Sequence, residues 1–582
     1  MKSIVAKMKP SLNGRLPVLV TIVLAGIVVY SNTLRVPFIL DDIGWIVDNS
    51  LVHDLDNFWV RSTAYAKMPN RWLGYLTLAL NYHFGGLDVL GYHLVNLSIH
   101  LGNGLLVYGL LRLTLRTPLF RSRNFGGDGP AAEFIPLLAA LLFVVHPVQT
   151  QAVTYVIQRL TSLATLFYLL AVVLYIRARL VIEEPASNPR RGESGGVVGK
   201  PAILLIAGSV VSTLLAMKTK EISATLPVAI VLCEACFFSG PWRRRIFYLL
   251  PLVATLPVIF VNFLPSGETT GSLLASLDDQ LRARSTLSRL DYLFTQFRVI
   301  STYLRLLVLP VNQNFDYDYP VYNAFFTPPV FCSFLLLAAL LAGAVWLWRK
   351  SVPGASGSKA GPFDPATRLI SFGIFWFFLT LSVESSIVPI ADVIFEHRLY
   401  LPNVGAFAAF AAAAWLIFDK LSWPVIGRQL FAVVLVAGLG YVAYSRNGVW
   451  QSDVTLWYDV VSKSPDKARA RNELGRVLTK AGRPREGIPH LQTAIRLSPE
   501  RLNVYINLSW ALMEDGRFWD TIVFLEQNMG RLNNFPQAHL NLGAAYYYTG
   551  NLELARRELM ILRQFGDIGF ASRLAALLGE SP

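Results

Sequence analysis

Residues 134–179 decide the fold and read FIPLLAALLFVVHPVQTQAVTYVIQRLTSLATLFYLLAVVLYIRAR. Two apolar runs, 134–146 and 150–177, are separated by a short polar turn, and arginines follow the second run. A helix that crosses the hydrocarbon core of a bilayer needs about 20 predominantly apolar residues. This stretch therefore predicts two neighbouring membrane helices, with the polar turn at one membrane face and the arginines at the other.

The composition of the whole chain favours a membrane protein. Of its 582 residues, 53% are hydrophobic and 15% are charged, and the mean hydropathy is +0.45. Soluble globular proteins carry about 25% charged residues, and disordered chains combine low hydrophobicity with high net charge. The composition therefore excludes both classes and predicts an all-α, polytopic membrane helical bundle.

Further apolar stretches continue this pattern, so that eleven membrane spans are predicted in all. They cover residues 17–35, 90–112, 134–146, 150–177, 201–217, 222–240, 246–264, 328–348, 367–383, 403–418 and 425–445. The stretch 290–310 is less apolar, because it carries Asp291, Arg298 and Arg305. We predict a helix there that does not cross the membrane, within a long loop over 265–327.

Basic residues predict the orientation of these spans. The net charge is +14, and most of the excess lies in the first 450 residues. The N-terminal tail and every second connection are basic, through Lys2, Lys7, Lys9, Arg15, Arg112, Arg116, Arg121, Arg123, Arg177, Arg179, Arg190, Arg191, Arg243, Arg244, Arg245, Arg349, Lys350 and Lys359. The positive-inside rule places these segments in the cytoplasm and the chain after the eleventh span outside. No basic stripe with interleaved aromatic residues indicates nucleic-acid binding.

A 34-residue repeat follows the last span. The repeated positions are Leu474, Leu508 and Leu542, then Gly482, Gly516 and Gly550, and also Pro465 and Pro499. This period, with these residue types in one phase, is typical of tetratricopeptide repeats, whose helix pairs form a concave binding surface. The sequence therefore predicts a membrane domain over 1–446 and a repeat domain over 447–582.

Polar motifs recur at the predicted outer ends of the spans. They are FILDDIGWIVDNSLV (38–52), HPVQTQAVTYVIQR (146–159), MKTKEISATLP (217–227), TQFRVISTYLRLLVLPVNQNFDYDYP (295–320) and SSIVPIADVIFEHRLYLPNVG (385–405). Ionisable residues beside membrane spans are functional candidates. Because acids, histidines and cations converge on one face, we predict an active site at the level of the lipid headgroups.

Each motif taken alone also has a structural interpretation. These are a helix cap for Asp41 and Asp42, interhelical hydrogen bonds for His93, Asn96 and His100, a helix cap for His146, a snorkelling pair for Lys220 and Glu221, and an ion cluster for Glu396, His397 and Arg398. The shared side of the membrane is what favours a common site over these separate interpretations.

Together the motifs resemble the transmembrane and tetratricopeptide-repeat-containing (TMTC-type) O-mannosyltransferases, which are GT-C glycosyltransferases. The resemblance rests on the acidic pair, on GYHLVNLSIH (91–100), HPVQTQAVTYV (146–156), KTKE (218–221) and EHRLYLP (396–402), and on the repeats. The chain departs from the common pattern at Thr219, where SKE is frequent, and at Trp72, where a proline is frequent. The short repeat array resembles a bacterial member.

The resemblance implies inverting transfer of a sugar, mannose or another hexose, from a polyprenyl-phosphate donor to serine or threonine hydroxyls of a protein. It implies no metal or cofactor. The roles it implies are a general base for Asp41 or Asp42, with Asp41 favoured, donor-phosphate binding for Lys220, Arg298 and Arg398, and orientation of the site for His93, His146, Arg159, Glu221, Glu396 and His397. The expected partners are the lipid-linked donor, the membrane lipids, and an acceptor polypeptide held by the repeats.

Two other functions stay open at this point. A non-enzymatic membrane scaffold would use the repeats to recruit partners, and a transporter of lipid-linked sugar would place polar residues on both sides of the membrane. For the enzyme, the expected location is a bacterial inner membrane with periplasmic repeats. In a eukaryote it would be the endoplasmic reticulum membrane with luminal repeats.

Overall fold

The computed structural model describes residues 12–59, 63–121, 129–183, 199–261, 287–351, 365–566 and 568–581. Over these ranges all regular secondary structure is helical. The predicted topology residues Lys2, Lys7, Lys9, Arg123, Arg190, Arg191 and Lys359, and loop residues 265–286, lie outside the described ranges. The chain forms two compact units, Met1–Gln313 with Tyr319–Trp450, and Asn314–Asp318 with Gln451–Pro582. The predicted boundary at 446/447 lies four residues before this division, and no prediction grouped 314–318 with the second unit.

The first unit is a bundle of long helices. In chain order they are α1 Leu12–Tyr30, α2 Trp72–Gly85, α3 Val89–Thr114, α4 Pro130–Val145, α5 Arg159–Glu183, α6 Lys200–Met217, α7 Leu226–Phe237, α8 Trp242–Val253, α9 Arg289–Val308, α10 Pro328–Lys350, α11 Pro365–Leu381, α12 Pro402–Lys420 and α13 Val425–Gly448. Each predicted span overlaps one of these helices, and the ambiguous stretch 290–310 is α9.

Six helices of the described chain are long and apolar enough to cross a membrane. They are α3, α5, α6, α10, α12 and α13, and α4 joins them if it is counted with Pro147–Thr154, from which it is bent by 51°. The stretch Arg15–Tyr30 of α1 and the helix α11 are also apolar, but each has fewer than the 18 residues required of a spanning helix. The chain is therefore an integral multi-pass membrane protein. The count of eleven spans stays a prediction, since α7 and α8 have only 12 residues each.

Close backbone contact joins α11 and α12. A Cβ atom on Gly373 would lie 2.3 Å from the carbonyl oxygen of Gly405, and one on Gly405 would lie 2.5 Å from the oxygen of Gly373. Small residues allow membrane helices to approach this closely and to gain van der Waals contact. This contact fixes the start of α12, directly after the EHRLYLP motif.

The second unit is an array of consecutive helices. They are α14 Asp453–Lys463, α15 Ala468–Lys480, α16 Pro484–Leu497, α17 Leu502–Glu514, α18 Phe518–Leu532, α19 Pro536–Tyr548, α20 Leu552–Gln564 and α21 Ile568–Leu578. Each helix packs on the next, and α15, α17 and α19 also pack on one another in order. The repeated Gly482, Gly516 and Gly550 have φ angles of +74°, +76° and +84°, and each ends the first helix of a pair. The 34-residue period thus corresponds to one helix pair of the array, and its assignment to tetratricopeptide repeats stays a prediction.

The segment Asn314–Asp318 packs against the first helices of this array. Phe315 is 1% exposed and lies edge-on to Trp457, with ring centres 5.7 Å apart. The Asp316 carboxylate is buried and accepts a hydrogen bond from Arg469 Nε at 2.8 Å, with Lys467 as a second ion partner. Ser464 accepts a hydrogen bond from the Asn314 side chain. Five residues from a distant part of the chain are therefore bound inside the second unit.

We expect Asp316→Asn to loosen this segment. Burial opposes ionisation of Asp316, but the hydrogen bond and charge of Arg469, with the charge of Lys467, hold its pKa below the ordinary 3.8. Losing a carboxylate from a partly exposed ion pair should cost about 1–3 kcal/mol. Hydrogen exchange of the full-length protein should be faster over 314–318 and over α15. A carboxylate with a lowered pKa stabilises the fold above pH 3.8, and this stabilisation is lost as the pH falls through the folded pKa. The difference between the two proteins should therefore vanish in acid.

The matched control is Asp318→Asn, because Asp318 is exposed in the same segment. Equal exchange in both variants would mean that the Asp316 ion pair does not hold the segment.

Candidate functional site

The two acids of the LDD motif have different environments. Asp42 is 1% exposed, and its carboxylate accepts hydrogen bonds from the Ile39 amide at 3.1 Å and from the Ile157 amide at 2.8 Å. Asp41 is exposed. Asp42 therefore joins the loop to the segment directly before α5, while Asp41 stays exposed beside it.

The backbone at this pair is strained. Leu40, directly before Asp41, has a φ angle of +46°, which a leucine rarely adopts. A single-turn π-helix, Ile43–Val47, follows directly after Asp42. Strained backbone and π-helical turns both occur frequently at functional sites. The unusual backbone on both sides of the pair therefore determines the direction of the Asp41 side chain.

Tyr155 contacts Asp41. Its hydroxyl accepts a hydrogen bond from the Asp41 amide at 2.9 Å and also interacts with the Asp41 side chain. Tyr155 itself is 3% exposed, at the break between Thr150–Thr154 and Val156–Gln158. A rigid, buried phenol therefore holds the backbone and the carboxylate of Asp41 in one orientation.

His93 and Arg159 make hydrogen bonds that hold the acidic loop and the neighbouring helices in place. His93 Nε2 donates to the Val36 carbonyl at 2.8 Å, at the start of the acidic loop. Arg159 is fully buried and donates to Asn96 Oδ1 at 2.7 Å, to Asn81 Oδ1 at 2.6 Å and to the carbonyls of Thr77 and Tyr92. Four of its five N–H donors are thus used within the protein, so its contacts position α2, α3 and α5.

Two ion pairs lie at the start of the segment after α6. Arg71 Nε donates to Glu221 Oε1 at 3.0 Å, and Lys220 Nζ donates to Glu384 Oε1 at 2.9 Å. Lys220 also donates to Thr161 Oγ1 at 2.9 Å and is 8% exposed. The adjacent residues Lys220 and Glu221 therefore have partners on different segments. Lys220 pairs with Glu384 after α11, and Glu221 pairs with Arg71 on the loop before α2.

Electrostatic interactions join these pairs to Asp41 through Tyr75. The hydroxyl of Tyr75 interacts with the charges of Arg71, Asp41 and Glu221, and burial is the largest of the effects that raise its pKa to about 12. Arg71 also interacts with Glu384. Asp41, Arg71, Lys220, Glu221 and Glu384 thus form one group, called the site cluster below.

Arg398 lies beside the site cluster but is held by backbone. It is 4% exposed and donates to the carbonyls of Val393 at 3.0 Å and Asp392 at 2.6 Å. Its charge interacts with Glu384, and it contacts the hydroxyl of Tyr292. Arg398 therefore contributes positive potential to the cluster while it holds the 392–398 segment in place.

Glu396 and His397 are held by glutamines from two other segments, one after α9 and one on the turn after α4. Glu396 is 3% exposed and accepts from Gln313 Nε2 at 2.7 Å, and the His397 amide donates to Gln151 Oε1 at 2.9 Å. Burial is the main cause that keeps the pKa of His397 well below its usual range, and the charges of Lys220 and Arg398 lower it further. The imidazole is therefore neutral at pH 7.

Two predicted site residues lie away from the site cluster. His146 Nδ1 accepts a hydrogen bond from the Val148 amide at 3.3 Å, and its Nε2 donates to the Leu307 carbonyl at 3.2 Å, so it caps the turn as the structural interpretation had it. Arg298 is exposed on α9. Its charge acts on Tyr319, which is not a member of the site cluster.

Sequence reasoning missed Arg71, Tyr75, Tyr155 and Glu384 as members of the site. Tyr155 lies inside the quoted motif HPVQTQAVTYVIQR, and Glu384 lies one residue before SSIVPIADVIFEHRLYLPNVG. A search for a counter-charge to the buried Lys220 on the same membrane face would have found Glu384, because a buried cation needs a partner.

We expect Asp42→Asn to destabilise the protein more than it alters chemistry. An asparagine offers one oxygen to two amide donors, so one buried N–H loses its acceptor, at a cost of about 1–3 kcal/mol. Burial is the main cause that raises the Asp42 pKa to about 8. Stability from a raised carboxyl pKa is complete below its ordinary 3.8 and is lost as the pH rises through about 8. The melting temperature of the wild type should therefore fall across that range, and that of Asp42→Asn should change less.

Thermal unfolding in detergent at a series of pH values measures this effect. The exposed Asp48 of the same loop supplies the control Asp48→Asn. A melting temperature of Asp42→Asn equal to that of the control would refute a structural role for Asp42.

The fold and the site define a multi-pass membrane protein that gathers acids and cations around an exposed aspartate. No family model matches the chain. It is 25% identical over 535 residues to the protein O-mannosyl-transferase TMTC3 of Mus musculus, covering 82% of this chain and 51% of that protein. It is 25% identical over 499 residues to the protein O-mannosyl-transferase F38B6.6 of Caenorhabditis elegans, covering 83% and 63%. These relatives confirm the predicted resemblance to the TMTC-type O-mannosyltransferases.

The chain spans 51% to 63% of the length of these curated relatives. Drosophila melanogaster Tmtc3, also a protein O-mannosyl-transferase, is 26% identical over 556 residues. Among solved structures, the crystal structure of ArnT from Cupriavidus metallidurans bound to undecaprenyl phosphate covers 90% of this chain, with 16% identity and a TM-score of 0.38. At that TM-score the likeness carries no argument about activity.

Proposed function

We propose that this chain is a membrane glycosyltransferase that moves a hexose from a polyprenyl-phosphate donor to serine or threonine hydroxyls of a polypeptide. The names of its relatives favour mannose as the hexose and protein as the acceptor. The observation that carries the proposal is the site cluster, in which exposed Asp41 and the Arg71–Glu221 ion pair both act on the buried hydroxyl of Tyr75. A base beside fixed cations is the arrangement that transfer from a phosphate leaving group requires.

In the proposed reaction the acceptor hydroxyl gives its proton to the Asp41 carboxylate. Its oxygen forms a bond to the anomeric carbon, while the bond from that carbon to the phosphate oxygen breaks. The electron pair leaves with the phosphate, so that negative charge grows on the lipid phosphate. Attack from the face opposite the leaving group inverts the anomeric configuration.

The cations divide into two kinds in this mechanism. The side chain of Arg71 is 41% exposed and the side chain of Lys220 is 11% exposed. Both can therefore exchange a carboxylate partner for the donor phosphate. Arg398 donates to backbone carbonyls and acts through its charge. Glu221 and Glu384 hold the two cations in place before the donor binds, while Tyr155 orients Asp41.

We place the site cluster and the repeats on the outer side of the membrane, opposite the N-terminus. The basic connections after every second span support this orientation. The compartment is then the periplasm of a bacterium or the lumen of the endoplasmic reticulum.

Mass spectrometry of glycoproteins from cells with and without this chain tests the proposed activity. We expect hexose on serine or threonine residues of at least one exported protein, and loss of that modification without the chain. A chain with Asp41→Asn that restored the modification fully would favour a scaffold instead, since a scaffold needs no base.

The second unit is proposed to hold the acceptor polypeptide. Exposed Trp519 and Tyr548 lie on neighbouring repeats, and the Tyr548 ring stacks on Phe518 with centres 4.7 Å apart. Exposed aromatic side chains are frequent contact points for polypeptides. Deletion of the unit is a poor test, because it would also uncover Phe315.

We expect Trp519→Ala with Tyr548→Ala to raise the KM for a protein acceptor in the full-length enzyme. The loss of one aromatic contact at an interface commonly costs more than about 1 kcal/mol, which corresponds to roughly fivefold in affinity. Transfer to a short peptide that cannot reach the repeats should be unchanged. The exposed Met560 of α20 supplies the control Met560→Ala. An unchanged KM for the protein acceptor would mean that the aromatic pair serves another partner.

A further inference from the structure

An apolar groove lies on the first unit, and none of the residues that line it is a member of the site cluster. It is formed by α7, α10 and α11, and its volume is about 470 Å³. Val228, Val231 and Ala235 line it from one face of α7, and Phe375 and Leu379 line it from α11. From Val228 to Ala235, α7 rises about 10 Å. The groove is therefore a furrow along the helices that fits a flexible hydrocarbon chain better than a compact ligand.

One end of the groove is positively charged. The last turns of α10 contribute Trp348 and the exposed Arg349, and Arg349 is the charged residue among those of the described chain that line the groove. Arg368 lies at the same end, where it donates to the carbonyls of Cys236 at 3.1 Å and Trp348 at 3.1 Å. A hydrocarbon furrow with cations at one end matches a lipid that carries a negative headgroup.

Trp348 adds an unused hydrogen-bond donor at this end. Its indole N–H is buried and has no acceptor within the described part of the chain. Buried donors in proteins are nearly always paired, and an unpaired one calls for an explanation. A phosphate or ester oxygen of a lipid headgroup beside Arg349 would supply the acceptor.

We propose that this groove binds an anionic phospholipid, with its acyl chain against α7, α10 and α11 and its phosphate paired with Arg349. A second groove at the start of α13, with a volume of about 540 Å³, gives the contrast. Its lining residues are Trp423, Pro424, Gly427, Leu430, Phe431, Val434 and Leu435, none of which is charged. Arg428 donates to the Trp423 carbonyl beside the second groove at 2.9 Å, so that groove is tested separately through its own variant. This site is independent of the proposed transfer reaction.

Native mass spectrometry of the full-length protein in detergent tests the proposal. The purified protein is titrated with phosphatidylglycerol and with phosphatidylcholine of the same acyl chains. We expect tighter binding of phosphatidylglycerol, and Arg349→Gln should weaken it about three- to tenfold, as the loss of one hydrogen bond worth about 1 kcal/mol net predicts. Binding of phosphatidylcholine should not change. Ala235→Trp, which fills the groove, should reduce both, and Leu430→Trp in the second groove should leave the difference between the two lipids unchanged.

The matched control is Arg177→Gln, which removes an exposed arginine from α5. The proposal is overturned if the wild type binds both lipids equally, or if Arg177→Gln weakens phosphatidylglycerol binding as much as Arg349→Gln does. It is also overturned if the groove is covered by a second copy of the chain. In that case the wild type would appear as a dimer that Ala235→Trp dissociates, with no change in bound lipid.

Discussion

Asp41→Asn is expected to transfer sugar about 10²–10⁴-fold more slowly than the wild type, because a general base contributes rate of that order. Asparagine keeps the size and shape of the side chain but cannot accept the proton of the acceptor hydroxyl. The side-chain oxygen of asparagine can still accept a hydrogen bond from the buried Tyr155 hydroxyl, which interacts with the Asp41 side chain in the wild type. The kcat should therefore fall, while the affinity for the lipid-linked donor and the melting temperature should stay close to the wild-type values.

The control for this result is Asp48→Asn, an exposed acid seven positions further along the same loop. It changes the net charge of the loop equally but lies outside the site cluster. If Asp41→Asn transferred sugar at the rate of Asp48→Asn, Asp41 would not be the base. Tyr155→Phe should give an intermediate loss of kcat, because it removes the hydroxyl that orients Asp41 and leaves the carboxylate.

Lys220→Gln should have the second largest effect. Removal of one preorganised donor to a developing negative charge costs about 10²–10³-fold in rate. Because Lys220 is nearly buried and paired with Glu384, its replacement also leaves that carboxylate without its cation. We therefore expect a lower kcat together with a lower melting temperature, and the double variant Lys220→Gln with Glu384→Gln should recover stability but not rate.

The matched control is Lys218→Gln. Lys218 is two residues earlier and donates to the hydroxyl of Tyr65 at 2.8 Å, outside the site cluster. Recovery of rate in the double variant would show that Lys220 acts only by balancing Glu384. A lysine that stabilises the leaving phosphate instead gives a loss of rate that persists when stability is restored.

Much of the helical architecture could be predicted from the sequence, because long apolar runs and a 34-residue period are signals that local residues carry. The helix α7 shows the limit of such prediction, because the predicted span of 19 residues over 222–240 contains a helix of only 12 residues. The segment Asn314–Asp318 could not be predicted. Its partners Lys467 and Arg469 lie about 150 positions away, and such pairing leaves no periodic trace in the sequence.

The site was predictable in part for a similar reason. Charge counting brings the acidic loop, Lys220 and Arg398 to one membrane face, but it does not say which side chains point inward. Arg298 illustrates the difference, because α9 buries Tyr292, Gln296, Val299 and Tyr303 and leaves Arg298 exposed. The different environments of Asp41 and Asp42 likewise depend on the Ile157 amide, which lies 115 residues away in the sequence and is brought to Asp42 by the fold.

The most direct test of the proposed activity is transfer by the purified full-length protein. The protein in detergent is given isotope-labelled polyprenyl-phosphate mannose and an exported protein as acceptor, and the product is examined by mass spectrometry and nuclear magnetic resonance. The proposal predicts labelled mannose on serine or threonine, with an anomeric configuration opposite to that of the donor. No transfer from this or any other polyprenyl-phosphate hexose, or a product that keeps the donor configuration, would contradict it.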